Sequence, residues 1–370
     1  MTEKERLPEL DDILEKSLQR KPLAASEILH LLGLKEGNQI SKVFQTAQYL
    51  RTEHFGNKVF LYGFVYFSTY CQNNCTFCAS RKSNTLAQRY RKSESEIVEA
   101  ACSLAESEVH LIDLTMGEDP FYLRGESGVE SLLTLIKRVK EHTGLPLMLS
   151  PGVVPEELFG EFARAGVDWY ACYQETHNRN LFSYLRPDQD YARRLSGKIL
   201  AKQQGVLIEE GILTGVGESL SDIAFSMGVI RSLGVHQARV MSLVPQAGTP
   251  MGDRKSPSRL RELLTIAVMR LLFPDRLIPA SLDVDGLELL QERLESGANV
   301  ITSLIPPRLG LSGVSQPSLG IDEGSRTVQG VTPLLDKMGM EVADNLDYFQ
   351  WVRREKAALT YPLANYGAVV

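Results

Sequence analysis

Five cysteines in 370 residues are too few to staple a secreted disulfide framework. No apolar run reaches the roughly 18 residues of a membrane-spanning helix, and no apolar leader follows Met1, so no membrane partner and a cytoplasmic location are expected. Basic excess is missing too. The formal net charge is −6, with Lys and Arg scattered along the chain, which gives no footprint for nucleic acid. The one basic run, Arg81 to Lys92, reads as a solvated loop. No Gly-x-Gly-x-x-Gly stands after the first candidate strand and no Walker sequence occurs. Gly215-Val216-Gly217 is too short to stand for either.

What the chain has is an apolar content of 43%, enough for one large α/β core or two domains, and an unusual grouping of thiols. Cys71-Gln72-Asn73-Asn74-Cys75-Thr76-Phe77-Cys78 follows directly on the apolar stretch Val59–Phe67. Three thiolates this close can grip three irons of a cubane cluster and leave the fourth iron open to a small chelating molecule. A four-cysteine set would favour a closed electron-transfer centre. Zinc completed by His54 or His110 is the alternative, although neither histidine has the usual local spacing. Cys102 and Cys172 lie in helical and buried-strand patterns and read as inert packing residues.

Residues 1–55 read as a helical extension. Ile28, Leu31 and Leu32 form one stripe with Ser26 as N-cap, and Ile40, Val43, Phe44 and Ala47 form another, with Gly33 and Gly37 in the break. Eight short apolar runs then alternate with longer amphipathic segments. The candidate strands are Val59–Phe67, His110–Leu114, Pro146–Leu149, Trp169–Tyr173, Val206–Leu213, Ala238–Leu243, Leu277–Ala280 and Val300–Leu304. This alternation predicts an α/β fold, a (β/α)8 TIM barrel over residues 56–305, with a tail over 306–370 packed against its bottom or outer face. Polar residues stand where strands should end: Asp113, Ser150, Glu175, Arg239, Ser281 and Asp283. Each alone is equally a satisfied core or loop group. Their shared position at strand ends, beside the cysteine loop, points to one active-site mouth.

The Cys-x3-Cys-x2-Cys run, with Phe77 before the last cysteine, resembles the signature of the radical S-adenosylmethionine enzymes. That resemblance implies a [4Fe-4S] cluster held by Cys71, Cys75 and Cys78, with S-adenosylmethionine on the open iron. Thr115-Met116-Gly117-Glu118-Asp119 resembles the segment that meets the methionine amino group. Tyr173-Gln174-Glu175-Thr176, Leu185-Arg186-Pro187 and Tyr191-Ala192-Arg193-Arg194 resemble the ribose- and carboxylate-binding elements of the biotin synthase-like branch. Glu175 and Arg194 are then cofactor contacts, with Arg193 the rival of Arg194, and the segment from Ile212 through Gly215 to Gly217 supplies an adenine edge. Ser150 belongs to the same cofactor set.

Longer phrases narrow the branch. Tyr66–Cys71, Asp113–Pro120, Glu210–Gly217, Arg239–Met241, Ile278–Asp283 and Gly297–Ser303 look like the 3-methylornithine synthases of pyrrolysine biosynthesis, over about residues 20–345. The resemblance implies an isomerase, a carbon-skeleton mutase that rearranges L-lysine to (3R)-3-methyl-D-ornithine. Hydrogen abstraction is followed by fragmentation and recombination, driven by an external one-electron reductant such as flavodoxin or ferredoxin. Arg239 is implied as the clamp on the substrate carboxylate, Ser281 and Asp283 as the α-amino site, and Asp113 as partner of an ammonium, with Asp285 and Glu118 as further candidates. Ala79–Asn84 and His177–Asn180 depart from the family pattern. The alternatives are a related mutase acting on another amino acid such as glutamate, sulfur-insertion or lyase chemistry, and a non-catalytic iron–sulfur assembly protein.

Overall fold

The computed structural model describes residues 9–306 and 325–359. Eight parallel strands make the barrel: β1 (Lys58–Ser68), β2 (Leu111–Met116), β3 (Leu147–Ser150), β4 (Trp169–Ala171), β5 (Leu207–Thr214), β6 (Gln237–Ser242), β7 (Pro279–Ser281) and β8 (Val300–Leu304). Their spatial order is β6-β5-β4-β3-β2-β1-β8-β7. Two backbone bonds draw the seam together, from Ala238 N–H to Leu277 O (3.0 Å) and from Leu277 N–H to His236 O (3.2 Å). The expected (β/α)8 barrel is therefore the fold. Leu277, expected to open the seventh strand, faces the β6 seam instead, and β7 starts two residues later.

β1 shows how the sequence builds two layers. Alternate side chains of a strand point to opposite faces. Phe60, Tyr62, Phe64 and Tyr66 fill the barrel interior, while Val59, Leu61, Val65 and Phe67 pack outward against helices. The N-terminal helices Leu10–Leu18, Ala25–Leu32 and Gly37–Phe55 share that outer core through Ile13, Leu31, Val43 and Leu50. Ser26 is not the N-cap: Ala24 holds that position, and Glu27 reaches back to accept its N–H (2.6 Å). Arg261 Nη1 ties the extension to the barrel by donating to Leu32 O (2.7 Å).

After residue 325, the helix Val328–Met338 leads into β9 (Glu341–Val342), which pairs with the start of β1. The helix Asn345–Leu359 then lies under the N-terminal ends of the strands. Trp351 stacks on Trp169 (5.8 Å between ring centroids, 3° between planes), and the Tyr348 and Tyr62 hydroxyls are 2.6 Å apart. The described part of this segment, 325–359, packs into the barrel bottom. The Gly- and Pro-rich stretch to Pro317 and the aromatic pair Tyr361 and Tyr366 lie outside the described residues. Among the described residues, no helix is long and apolar enough to cross a membrane.

Candidate active site

At the opposite, C-terminal end of the strands lies a cavity of about 240 Å³. Cys71, Cys75, Phe77 and Cys78 line one side of it, and Asp113, Thr115, Gly117 and Glu118 follow from β2 and its loop. Ser150, Glu175, Arg194, Arg239 and Asp283 complete this part of the wall. Gly215, Ser281 and Asp285, also expected here, are not on it. Gly215 (φ +85°) sits in a turn where the Glu218 carboxylate accepts the N–H groups of Gly215, Val216 and Gly217 (2.9, 2.9 and 3.1 Å), so its amide is already used. Ile212 and Leu213, just before it, do reach the cavity. Ser281 is buried with its Oγ 3.2 Å from Ser303 Oγ and accepts the Asp283 N–H (3.2 Å).

The cysteine loop is held by backbone bonds to its neighbours. Gln72 N–H donates to Glu118 O (3.0 Å), Thr76 N–H to Leu185 O (2.9 Å) and Lys82 N–H to Asn73 O (2.7 Å). Gly117 permits the approach: a Cβ there would stand 2.2 Å from Tyr70 O. The small residue expected at this position thus admits the cysteine loop itself. Cys75 Sγ accepts hydrogen bonds from Arg186 Nη1 (3.2 Å) and Gln189 Nε2 (3.1 Å). Arg186 also pairs with Glu175 Oε1 (2.7 Å) and lies over the Phe77 ring. Burial, with the neighbouring Cys75 and Cys71, pushes the Cys78 thiol up to about 12, so it ionises only when a cation takes the place of its proton. His110 cannot join these thiols in a zinc site. It lies at the barrel bottom with Nδ1 against Leu61 N (2.9 Å) and Nε2 against Ala343 O (2.8 Å). His54 is equally excluded, on the helix Gly37–Phe55 beside Arg20.

Deeper in the cavity the charges are paired in a way the sequence did not reveal. Arg239 Nε meets Glu209 Oε1 (2.6 Å), Nη1 donates to Thr302 Oγ1 (3.2 Å), and Nη2 is buried without a partner. Tyr173 donates to the other Glu209 oxygen (2.7 Å). Burial works against the Arg239 charge, but Glu209, Tyr173 and Asp113 together outweigh it and hold the guanidinium above the ordinary arginine range. Asp113 Oδ1 accepts from Ser150 Oγ (2.8 Å). Its Oδ2 is buried with no well-formed hydrogen bond, the Thr115 hydroxyl lying beside it. Burial first, then Glu209, pushes the Asp113 carboxyl up to about 7. Asp283 already has partners: Arg326 Nη2 (2.8 Å), Tyr66 OH (2.9 Å) and Ser303 Oγ (3.3 Å). Arg326 comes from the segment expected to be a tail. Asp285 pairs with Arg259 and Arg293 (3.6 and 3.7 Å) and is not on the cavity wall.

Around the cofactor elements, Arg194 reaches the cavity, with Nε donating to Tyr173 O (2.7 Å), whereas its rival Arg193 is exposed. Glu175 adopts a left-handed backbone (φ +69°), costly for a non-glycine residue and maintained here by its neighbours. Behind it, Glu210 accepts Gln174 N–H and Gly211 N–H (both 2.8 Å) and pairs with fully buried Lys198 (2.8 Å). Burial pushes His177, beside this pair, down to about 4, so it is neutral at physiological pH. Asn178 caps the helix Arg179–Leu185. The departure at His177–Asn180 is therefore a brace behind the wall. The other departure touches it directly: Ala79 lines the cavity, and Asn84 pins the loop by donating to Ala79 O and Ala247 O (2.9 Å each). Cys172, expected only to pack, also forms part of the wall.

The model of the Radical SAM superfamily matches residues 65–227. The 3-methylornithine synthase of Methanosarcina acetivorans is 38% identical over 348 residues, 94% of this chain and 98% of that protein. The chain belongs to the 3-methylornithine synthase family. A crystal structure of methylornithine synthase superposes with a TM-score of 0.87 at 37% identity, covering 92% of this chain and 99% of that one. More distantly, the [FeFe] hydrogenase maturase subunit HydE of Thermotoga maritima is 28% identical over 78% of this chain and 82% of its own. The 3-methylornithine synthase family uses a [4Fe-4S] cluster and S-adenosylmethionine. The residues present fit that pair. Three thiols share one cavity wall, two donors already aim at Cys75 Sγ, and buried Arg194 and part-buried Glu175 stand on the adjoining wall.

Proposed function

We propose that this chain is a radical mutase that rearranges L-lysine to 3-methylornithine, with Cys71, Cys75 and Cys78 holding the cluster and Glu118, Glu175 and Arg194 contacting S-adenosylmethionine. The observation that carries the substrate reading is a pair of buried, unsatisfied atoms on one wall: a donor, Arg239 Nη2, and an acceptor, Asp113 Oδ2. Buried polar atoms are seldom left without partners, so such a pair marks where a ligand completes the network. A dibasic amino acid supplies both missing halves, a carboxylate for the guanidinium and an ammonium for the carboxylate. A second carboxylate, as in glutamate, would meet Asp113 with like charge, which disfavours it.

When bound, the cluster and S-adenosylmethionine supply a carbon radical able to take hydrogen from an unactivated C–H bond. The chain's own residues position and seclude the substrate. Arg239, held by Glu209 and Thr302, keeps the amino-acid head fixed. Asp113, oriented by Ser150, accepts a hydrogen bond from the substrate ammonium at Oδ2, and that positive charge favours the carboxylate anion that burial alone resists. Phe64, Tyr173, Ile212 and Met241 give the wall its apolar part and exclude water from the reacting carbons. Asp283, tied to Arg326 and Tyr66, presents a neutralised carboxylate to the α-amino end.

The test is anaerobic reconstitution with iron, sulfide, S-adenosylmethionine and a reductant, followed by mass spectrometry of added lysine. The expected product is an isomer of equal mass that separates chromatographically from lysine. Cleavage of S-adenosylmethionine with lysine unchanged refutes the substrate assignment.

A further inference from the structure

The cysteine loop has two faces. Its inner face lines the cavity, its outer face floors a second, open depression at the surface, and Cys71 and Asn73 belong to both walls. Exposed Lys82, Arg91 and Arg124 border the outer depression, against one exposed carboxylate on its wall, Asp188. Arg91 is rigidly set. Its guanidinium pairs with Asp119 (2.9 and 3.0 Å) and lies between the exposed rings of Tyr70 and Phe121, 4.7 and 4.5 Å from their centroids. The run from Arg81 to Lys92 carries five cations and no carboxylate in a chain of net charge −6. Arg89 knits this run into a fixed loop by donating to the carbonyls of Ser80 (2.8 Å) and Asn84 (3.3 Å). Arginine and aromatic side chains in a preformed array are the composition of a binding hot spot.

We propose that this depression is the docking face for an acidic one-electron carrier protein. The carrier delivers its electron through the cysteine loop from outside while the amino acid occupies the cavity inside. One electron leaves the carrier and enters the iron–sulfur group; no bond forms or breaks and no proton moves. The proposal rests on the reading of the loop as the cluster site, and not on the identity of the amino acid.

The test is stopped-flow bleaching of the reconstituted cluster without lysine, driven by reduced flavodoxin or by photoreduced deazaflavin, a small reductant that needs no docking face. Electrostatic steering raises association rates by roughly 10-fold or more and is lost in salt. In the double variant Lys82→Glu/Arg124→Glu, flavodoxin-driven reduction should slow by about tenfold at low ionic strength and lose its salt dependence. Reduction by deazaflavin should match the wild type. Equal flavodoxin rates with equal salt dependence in variant and wild type overturn the proposal. If charge reversal lowers iron content, Lys82→Gln/Arg124→Gln takes its place. A smaller loss confined to the flavodoxin arm is then expected, and no loss is again refuting. Absence of lysine turnover with this rate difference intact would count against the substrate reading alone.

Discussion

Asp113→Asn separates what this carboxyl does for a substrate from what it costs the fold. Burial lifts the carboxyl from 3.8 to about 7 in the substrate-free protein. At ~1.36 kcal/mol per pH unit, that displacement is worth about 4 kcal/mol. The sign is opposite to that of a salt-bridged carboxylate, because the folded state favours the protonated form. The cost is nil below the unfolded pKa, grows as pH rises from about 4 to about 7, and is complete above that. Asparagine keeps an oxygen for the Ser150 hydroxyl but carries no charge. Urea denaturation of the substrate-free protein should therefore find the variant more stable at pH 8, by up to about 4 kcal/mol, and indistinguishable from wild type at pH 4. Lysine turnover should be lost at both. Equal stability at pH 8, or an equal gain at pH 4, would refute the claim that Asp113 carries a charge awaiting its counter-ion.

Gly117→Ala drives a methyl group into the Tyr70 carbonyl. It should cost on the order of 1–3 kcal/mol and, by displacing the cysteine loop, lower the iron bound per chain after reconstitution. Gln189→Leu removes one of two donors on Cys75 Sγ. At about 1 kcal/mol for the lost bond, the cluster's midpoint potential should fall by roughly 40 mV in a titration followed by electron paramagnetic resonance. Lys198→Met leaves Glu210 buried without its counter-ion. Chemical denaturation should show a loss of about 3–5 kcal/mol, largely recovered in Lys198→Met/Glu210→Gln; an additive double variant would show that the two do not act as a pair.

The barrel was legible because its cause is local. Each strand is a short apolar run bounded by polar residues, and β8 appears over the very residues the pattern marks, Val300–Leu304. The convergence of Asp113, Ser150, Glu175 and Arg239 followed from the same logic, since parallel strands end at one mouth. Two short helices, Pro120–Leu123 and Arg179–Leu185, have too few turns to leave a periodic signal. The partners of the site residues were hidden for another reason. Arg326 lies 43 positions beyond Asp283 in the chain, and nothing local to either announces the other. Glu209 did leave a trace: two adjacent glutamates inside the apolar run Val206–Leu213 are expensive to bury and each needs a cation. The two faces of β5 present them to separate ones, Arg239 of β6 inside the barrel and Lys198 of the helix Tyr191–Gln203 outside.

The stacked indoles of Trp169 and Trp351 give the molecule a stopper. With the helix Asn345–Leu359 seated beneath the strands, the barrel is a cup rather than a pipe. Among the described residues, the Trp169–Trp351 stack and the Tyr62–Tyr348 contact then stand between two pieces of a broken carbon chain and the bottom of the barrel. Retention of reactive halves is thus partly the work of the last described helix, which touches no reactant.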